Sequence, residues 1–171
     1  GKPVSPTYLK TIHGQLSSIF NHAIRYYDLN INPARKAGTM GTEESKEMLF
    51  WTKEEYLKFA EAMMDKPLSY YAFEMLYWCG IREGELLALT PADFDFHNQT
   101  VTINKSYQRL KGRDVITSPK TKKSNRVVKM PQFLSEEMED CMKLYYSLKP
   151  TDRLFPVTKH YLSHEMDRGC K

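Results

Sequence analysis

Cysteine is scarce in this 171-residue chain, long apolar runs are missing, and acidic residues almost vanish from one stretch of it. The three cysteines, Cys79, Cys141 and Cys170, lie far apart, are odd in number and form no Cys-x-x-Cys pair. This argues against a disulfide framework and against a zinc site, and it suits a reducing compartment. No apolar run approaches the roughly 20 residues needed to cross a membrane, and the N-terminus lacks the basic-then-apolar order of a signal peptide. A cytoplasmic protein with no membrane partner is expected. Internal repeats and low-complexity tracts are missing too. What is present is enough apolar side chain, 41% of residues, for a packed core. The length suits one ordinary domain plus a fragment of another.

The shortage of acid has a location. Residues 105–129 carry nine Lys or Arg (Lys105, Arg109, Lys111, Arg113, Lys120, Lys122, Lys123, Arg126 and Lys129) against the single acid Asp114. Residues 39–104 carry five cations against twelve acids, so the formal net charge of +4 hides a strong segregation. Positive charge gathered in one segment suits a polyanion, nucleic acid first of all, with a solvated basic loop as the plainer alternative.

Residues 6–28 place Leu9, Ile12, Leu16, Phe20, Ala23 and Tyr27 at spacings of three and four, the pattern of an amphipathic helix too short to be a domain. In LNINPARKAGTMGTEESKEM, Pro33, two glycines, Thr, Ser and a charge run mark a linker. The expected division is 1–38 as the end of a preceding helical domain, 39–50 as linker and 51–171 as the start of a second domain. In FWTKEEYLKF, Thr52 and Glu55 form a capping box, with Trp51 and Tyr56 as its hydrophobic staple. That helix runs to about Met64. Lys66-Pro67 separates it from a helix carrying Leu68, Tyr71, Ala72, Met75, Leu76 and Trp78, which Gly80 ends. A short helix from Arg82 to Leu89 stops at Thr90-Pro91.

The period then changes to two. FDFHNQTVTINKS reads as two strands around His97-Asn98, and DVITSPKTKKSNRVVKMP as two strands joined by a basic turn, Lys120 to Asn125. Together they predict one small antiparallel sheet. Ser135 is expected to cap the next helix, with Leu134, Met138, Met142 and Tyr145 on one face, and a last helix starts near Thr158. The fold class is α+β, mainly helical.

Two residues stand out for chemistry. Arg82, after a glycine and at a helix start, can present its planar fork to a phosphate beside free backbone N–H groups. It can equally pair with Glu85 one turn on, for about 0.2–0.5 kcal/mol. Lys120 lies in a turn between strands, from which a lysine can swing against a bound backbone and transfer a proton, or simply protect a sheet edge by its solvation.

FWTKEEYLKF, YWCGIREGELLALTPADFDF and ITSPKTKKSNRVVKMP, in this order and at these separations, resemble the catalytic domain of the tyrosine recombinase (phage integrase) family over most of residues 48–171. The first helix with NINPARKAG similarly resembles the end of that family's core-binding domain, a helical SAM-like fold. The resemblance implies an integrase-type catalytic domain with a small antiparallel sheet and a basic β-hairpin. It implies site-specific DNA recombination, in which a tyrosine hydroxyl attacks a phosphodiester, forms a 3′-phosphotyrosyl bond and releases a 5′-hydroxyl, without a metal or other cofactor. Arg82 would then be the first of two arginines on the non-bridging oxygens, Lys120 would protonate the leaving 5′ oxygen, and Glu85 would orient the arginine helix. Lys122 is the alternative to Lys120. Lys105, Lys111, Arg113, Lys122, Lys123 and Arg126 would contact double-stranded DNA.

The chain departs from the family at its end. A second box, His-x-x-Arg, should follow the last helix and precede the nucleophilic tyrosine, and neither is found before the closing LSHEMDRGCK. The His22–Arg25 sequence HAIR precedes Arg82 on the polar face of the first helix and reads as a solvated or DNA-facing patch. His164 and Arg168 are spaced by four and read as surface residues. The eleven tyrosines suit packing. The expectation is a fragment that binds DNA but lacks the nucleophile, monomeric in solution, from an enzyme that acts as a homotetramer on DNA and associates with the nucleoid. A non-catalytic DNA-binding module and a general RNA-binding protein are the alternatives.

Overall fold

The computed structural model describes residues 4–41, 49–118 and 124–171. They belong to two compact units, Gly1–Phe50 and Trp51–Lys171. In the first unit Ser5 caps α1 (Pro6–Tyr26) by accepting the Tyr8 N–H, and Pro6 stands at the first turn, where its missing N–H loses no bond. The segment read as linker begins with fixed structure: one helical turn, α2 (Pro33–Lys36), capped by the buried Asn32. Asn32 Oδ1 accepts from the N–H groups of Ala34 and Arg35, while Nδ2 donates to Ser17 O, Ser17 Oγ and Asn21 Oδ1 on α1. A buried amide with its bonds made holds this turn against α1.

The second unit opens with α3 (Lys53–Met63). Both halves of its capping box form: the Glu55 N–H donates to Thr52 Oγ1 at 3.2 Å and the Thr52 N–H to Glu55 Oε2 at 2.8 Å. The Trp51 and Tyr56 rings lie 6.4 Å apart, as a staple requires. α4 (Pro67–Cys79) starts on Pro67 and ends at Gly80, whose φ of +58° favours glycine. Buried Glu74 joins the two helices by accepting from Tyr56 Oη at 2.7 Å and Trp78 Nε1 at 2.8 Å.

Arg82 precedes α5, which covers only Glu83–Leu86 rather than the expected Arg82 to Leu89. The reason is a change of backbone partner. The N–H groups of Ala88 and Leu89 tighten onto carbonyls three residues back, and the Leu89 carbonyl accepts from Leu154. A 3-10 turn, Pro91–Asp93, leads into β1 (Phe94–Asp95), β2 (Thr100–Ile103), β3 (Ser106–Leu110), β4 (Arg113–Thr117) and β5 (Arg126–Lys129).

The strands form two sheets where one was expected: antiparallel β1-β2-β5, and a separate β3–β4 hairpin. Among the described residues the strands flanking the basic turn do not pair with each other. β5 pairs with β2, with Val101 opposite Val128 and Ile103 opposite Arg126. β4 pairs with β3 through the two-residue turn Lys111-Gly112, whose φ values of +49° and +78° match a type I′ turn. Its short loop makes this the cheaper pairing to close. Most of the basic turn itself, residues 119–123, lies outside the described residues.

α6 (Gln132–Lys143) begins after Pro131, so Ser135 is not its cap. Ser135 is buried in the first turn, its N–H donated to the Pro131 carbonyl. α7 (Lys159–Gly169) starts from Thr158 as expected. α4, α5, β2, α6 and α7 enclose a core that includes Met75, Leu86, Val101, Leu134 and Phe155, each such side chain contributing about 1.5–3 kcal/mol by burial. Arg168, expected at the surface and still partly exposed, also ties α7 to the turn after α3 by donating to Asp65 at 3.0 and 3.1 Å and to Glu165. Among the described residues no helix is long and apolar enough to cross a membrane.

Candidate nucleic-acid interface around Arg82

Arg82, Glu85 and Arg126, which the sequence places on a helix start and a distant strand, meet at one carboxylate. Glu85 is 6% exposed. Its Oε2 accepts from the Arg82 backbone N–H at 2.8 Å and from Arg126 Nη2 at 2.8 Å, and its Oε1 from Arg82 Nη1 at 3.1 Å and Arg126 Nη1 at 3.0 Å. The paired bonds from Arg126 form a fork-to-fork contact. Those bonds, chiefly, hold the Glu85 carboxyl down at about 2, against the opposing effect of its burial.

Arg82 itself faces outward. Its side chain is 77% exposed and spends one amino group on Glu85, which leaves the rest of the guanidinium to solvent or ligand. With α5 only four residues long, the local dipole adds little, and the attraction for an anion rests on the exposed Arg82 charge, because Arg126 is paired with Glu85. Arg82 separates two hollows. One, between α5 and β3, is lined by Glu85, Lys105, Ser106, Gln108 and Thr117, and the other by Gly80, Ser124 and Arg126. The close approach of α5 to β3 needs Gly84: a Cβ there would stand 2.8 Å from Ser106 Oγ and 3.2 Å from the Tyr107 carbonyl.

The remaining expected contacts divide. Lys105 borders the first hollow, but its ammonium lies 2.6 Å from Asp93 Oδ1 and 3.2 Å from Thr90 Oγ1, so its charge is matched within the domain. Lys111 and Arg113 are exposed at the β3–β4 tip. Arg126 is committed to Glu85, which makes it a support for the Arg82 loop rather than a free cation. Lys120, Lys122 and Lys123 lie outside the described residues. His22 and Arg25 border a hollow on α1 with Ser18, Asn21 and Tyr26, in the other unit. Tyr56 and Tyr107 are buried with their hydroxyls donated to Glu74 and Asp114; burial, then the carboxylate bond, raises both above the ordinary tyrosine range. Among the described residues no group of three or more His, Cys, Asp or Glu side chains gathers as metal ligands would. Arg153, which no local pattern distinguished, joins Asp114 and the Tyr107 ring of the hairpin to the carbonyls of Leu87, Phe155 and Val157.

The second unit has the integrase catalytic-domain fold. The chain superimposes with a TM-score of 0.73, at 22% identity, on the Tn1549 transposon integrase solved in complex with a circular intermediate DNA, over 88% of this chain and 49% of that one. No family model matches the chain. It is 33% identical over 132 residues to the ICEBs1 integrase of Bacillus subtilis (strain 168), covering 77% of this chain and 36% of that protein. It is 29% identical over 140 residues to a tyrosine recombinase, XerC-like, of Caldanaerobacter subterraneus, covering 74% of this chain and 36% of that one. The chain is a member of the tyrosine recombinase (phage integrase) family, and it spans a little over a third of the length of these two relatives.

Proposed function

We propose that this chain is part of a site-specific DNA recombinase of a phage or other mobile element, and that residues 51–171 bind duplex DNA with Arg82 against the phosphate to be cleaved. The observation that carries this reading is the Arg82–Glu85–Arg126 cluster. A buried carboxylate restrains the Arg82 backbone and one of its amino groups while most of its guanidinium stays exposed. Such pre-organised charge is what stabilises a phosphoryl transition state most. Arg82 would neutralise non-bridging oxygens as charge builds on them, Glu85 would hold Arg82 in place, and Lys120 would protonate the departing 5′ oxygen.

The division into a core-binding end (1–38), a linker (39–50) and a catalytic part (51–171) belongs to the same reading. Within that reading we assign residues 51–171 duplex DNA binding and the holding of the phosphate by Arg82. The chain's expected state is monomeric alone, and tetrameric on DNA for a complete enzyme.

The test is duplex binding by fluorescence anisotropy as a function of salt. Phosphate contacts predict a linear fall of log affinity with log salt, and Arg82→Ala should reduce the slope by about one. Equal affinity for structured RNA, or a slope unchanged by Arg82→Ala, would overturn the assignment. Where the reading frame continues past Lys171 into the box and a tyrosine, that longer protein should form a covalent adduct on a nicked site, and Arg82→Ala should abolish it.

A further inference from the structure

Asp114 is the single acid among nine cations in residues 105–129, and the structure gives it a specific place. Its Oδ1 accepts from Tyr107 Oη at 2.8 Å and its Oδ2 from Arg153 Nη1 at 3.0 Å. The same Arg153 donates Nε to the Leu87 carbonyl at 2.8 Å and Nη2 to the carbonyls of Phe155 and Val157 at 2.9 and 2.6 Å. Its guanidinium carbon lies 4.0 Å from the centre of the buried Tyr107 ring. Arg153 is therefore bound to three carbonyls of the domain body, while its Nη1 and the face of its guanidinium hold the hairpin.

The hairpin needs such a hold. Among the described residues β3 and β4 pair only with each other, and a two-stranded hairpin alone is marginal in water. Its root is fixed because Tyr107 is 1% exposed and because α5 meets it at Gly84. Asp114 stands opposite Arg109, two pairs further out than Tyr107, so everything beyond it is the basic tip from Leu110 to Arg113. We propose that Arg153, Tyr107 and Asp114 form a latch that fixes the direction of the β3–β4 hairpin and so presents Arg109, Lys111 and Arg113 to DNA at a set position relative to Arg82. These are positioning residues. The acid inside the basic segment strengthens DNA binding through order, although its charge opposes it.

This inference rests on the DNA-binding reading, and charge makes it testable. Removing Asp114 raises the net charge by one, so if the hairpin were only a cloud of positive charge, Asp114→Ala would bind duplex DNA more tightly. A latch requires the reverse, an affinity about threefold to tenfold weaker, with a shallower salt slope as one or two phosphate contacts are lost. Tyr107→Phe removes only the hydroxyl and changes no charge at neutral pH, so it should move in the same direction by less. It also guards against misfolding, since its ring still fills the core. Amide hydrogen exchange of residues 106–117, measured on the 171-residue chain without DNA, should quicken about tenfold in both variants. Unchanged exchange would overturn the latch, and faster exchange with equal or tighter DNA binding would overturn its positioning role. If the unaltered chain binds no DNA, the functional reading fails, and the exchange data still decide whether the latch exists.

Discussion

Replacing Glu85 by glutamine tests the centre of the candidate site directly. The substitution keeps size and shape but removes the charge that two guanidinium groups share. Holding this carboxyl at about 2 rather than the ordinary 4.5 favours the folded state by about 3 kcal/mol at neutral pH, at about 1.4 kcal/mol per tenfold change in proton affinity. Arg82 is largely solvated and its share is screened, so about 2 kcal/mol is the expected loss. The sign follows from the depressed value: the stabilisation is complete above pH 4.5 and disappears as pH falls through about 2. Urea unfolding followed by the fluorescence of Trp51 and Trp78, both in the second unit, measures it. Glu85→Gln should be about 2 kcal/mol less stable at pH 7, and the difference should shrink by about half at pH 3, because below about 4.5 the unfolded chain takes up a proton at Glu85 while the folded carboxylate, held at about 2, still does not. A deficit identical at pH 7 and pH 3 would refute the electrostatic account and leave only a packing role for Glu85.

Gly84→Ala should lower the melting temperature, because the Tyr107 carbonyl 3.2 Å from the added methyl is backbone and cannot rotate away; the expected cost is about 1–3 kcal/mol, and unchanged melting would mean that α5 and β3 separate freely. Thiol labelling at pH 8 followed by mass spectrometry should modify exposed Cys170 first, because burial pushes the Cys79 thiol up to about 11 and that of Cys141 up to about 12. Labelling of Cys141 as fast as Cys170 would show that α6 opens readily.

Local signals in the chain were legible where the physics is local. Thr52 and Glu55 meet across one helical turn, Pro67 starts α4, Gly80 ends it and Thr158 caps α7, because each depends on atoms within about four residues. Ser135 misled for the same reason: a good capping residue lies near the start of α6, but Pro131 had already begun the helix. Likewise β4 and β5 of the basic segment were visible as strands, while β3 and the partner of each strand were not. The turn Lys111-Gly112 was a usable hairpin signal, and reading it would have separated β3 from residues 104 and 105 and placed β4 beside it.

The candidate site shows the same division more sharply. Composition and order determined that this chain has a basic segment, a Gly-x-Arg-x-x-Glu box ahead of it and most of its helices, and the resemblance linked that order to an integrase catalytic domain. Only the tertiary structure decided which cations remain available. It turned Arg126 inward onto Glu85, matched Lys105 with Asp93, left Arg82 facing out and recruited Arg153 from 39 positions beyond Asp114 to hold the hairpin. Formal charge is a property of each residue, but whether it is spent depends on which carboxylate lies within about 3 Å once the chain is folded, and that distance is set by packing between elements far apart in sequence.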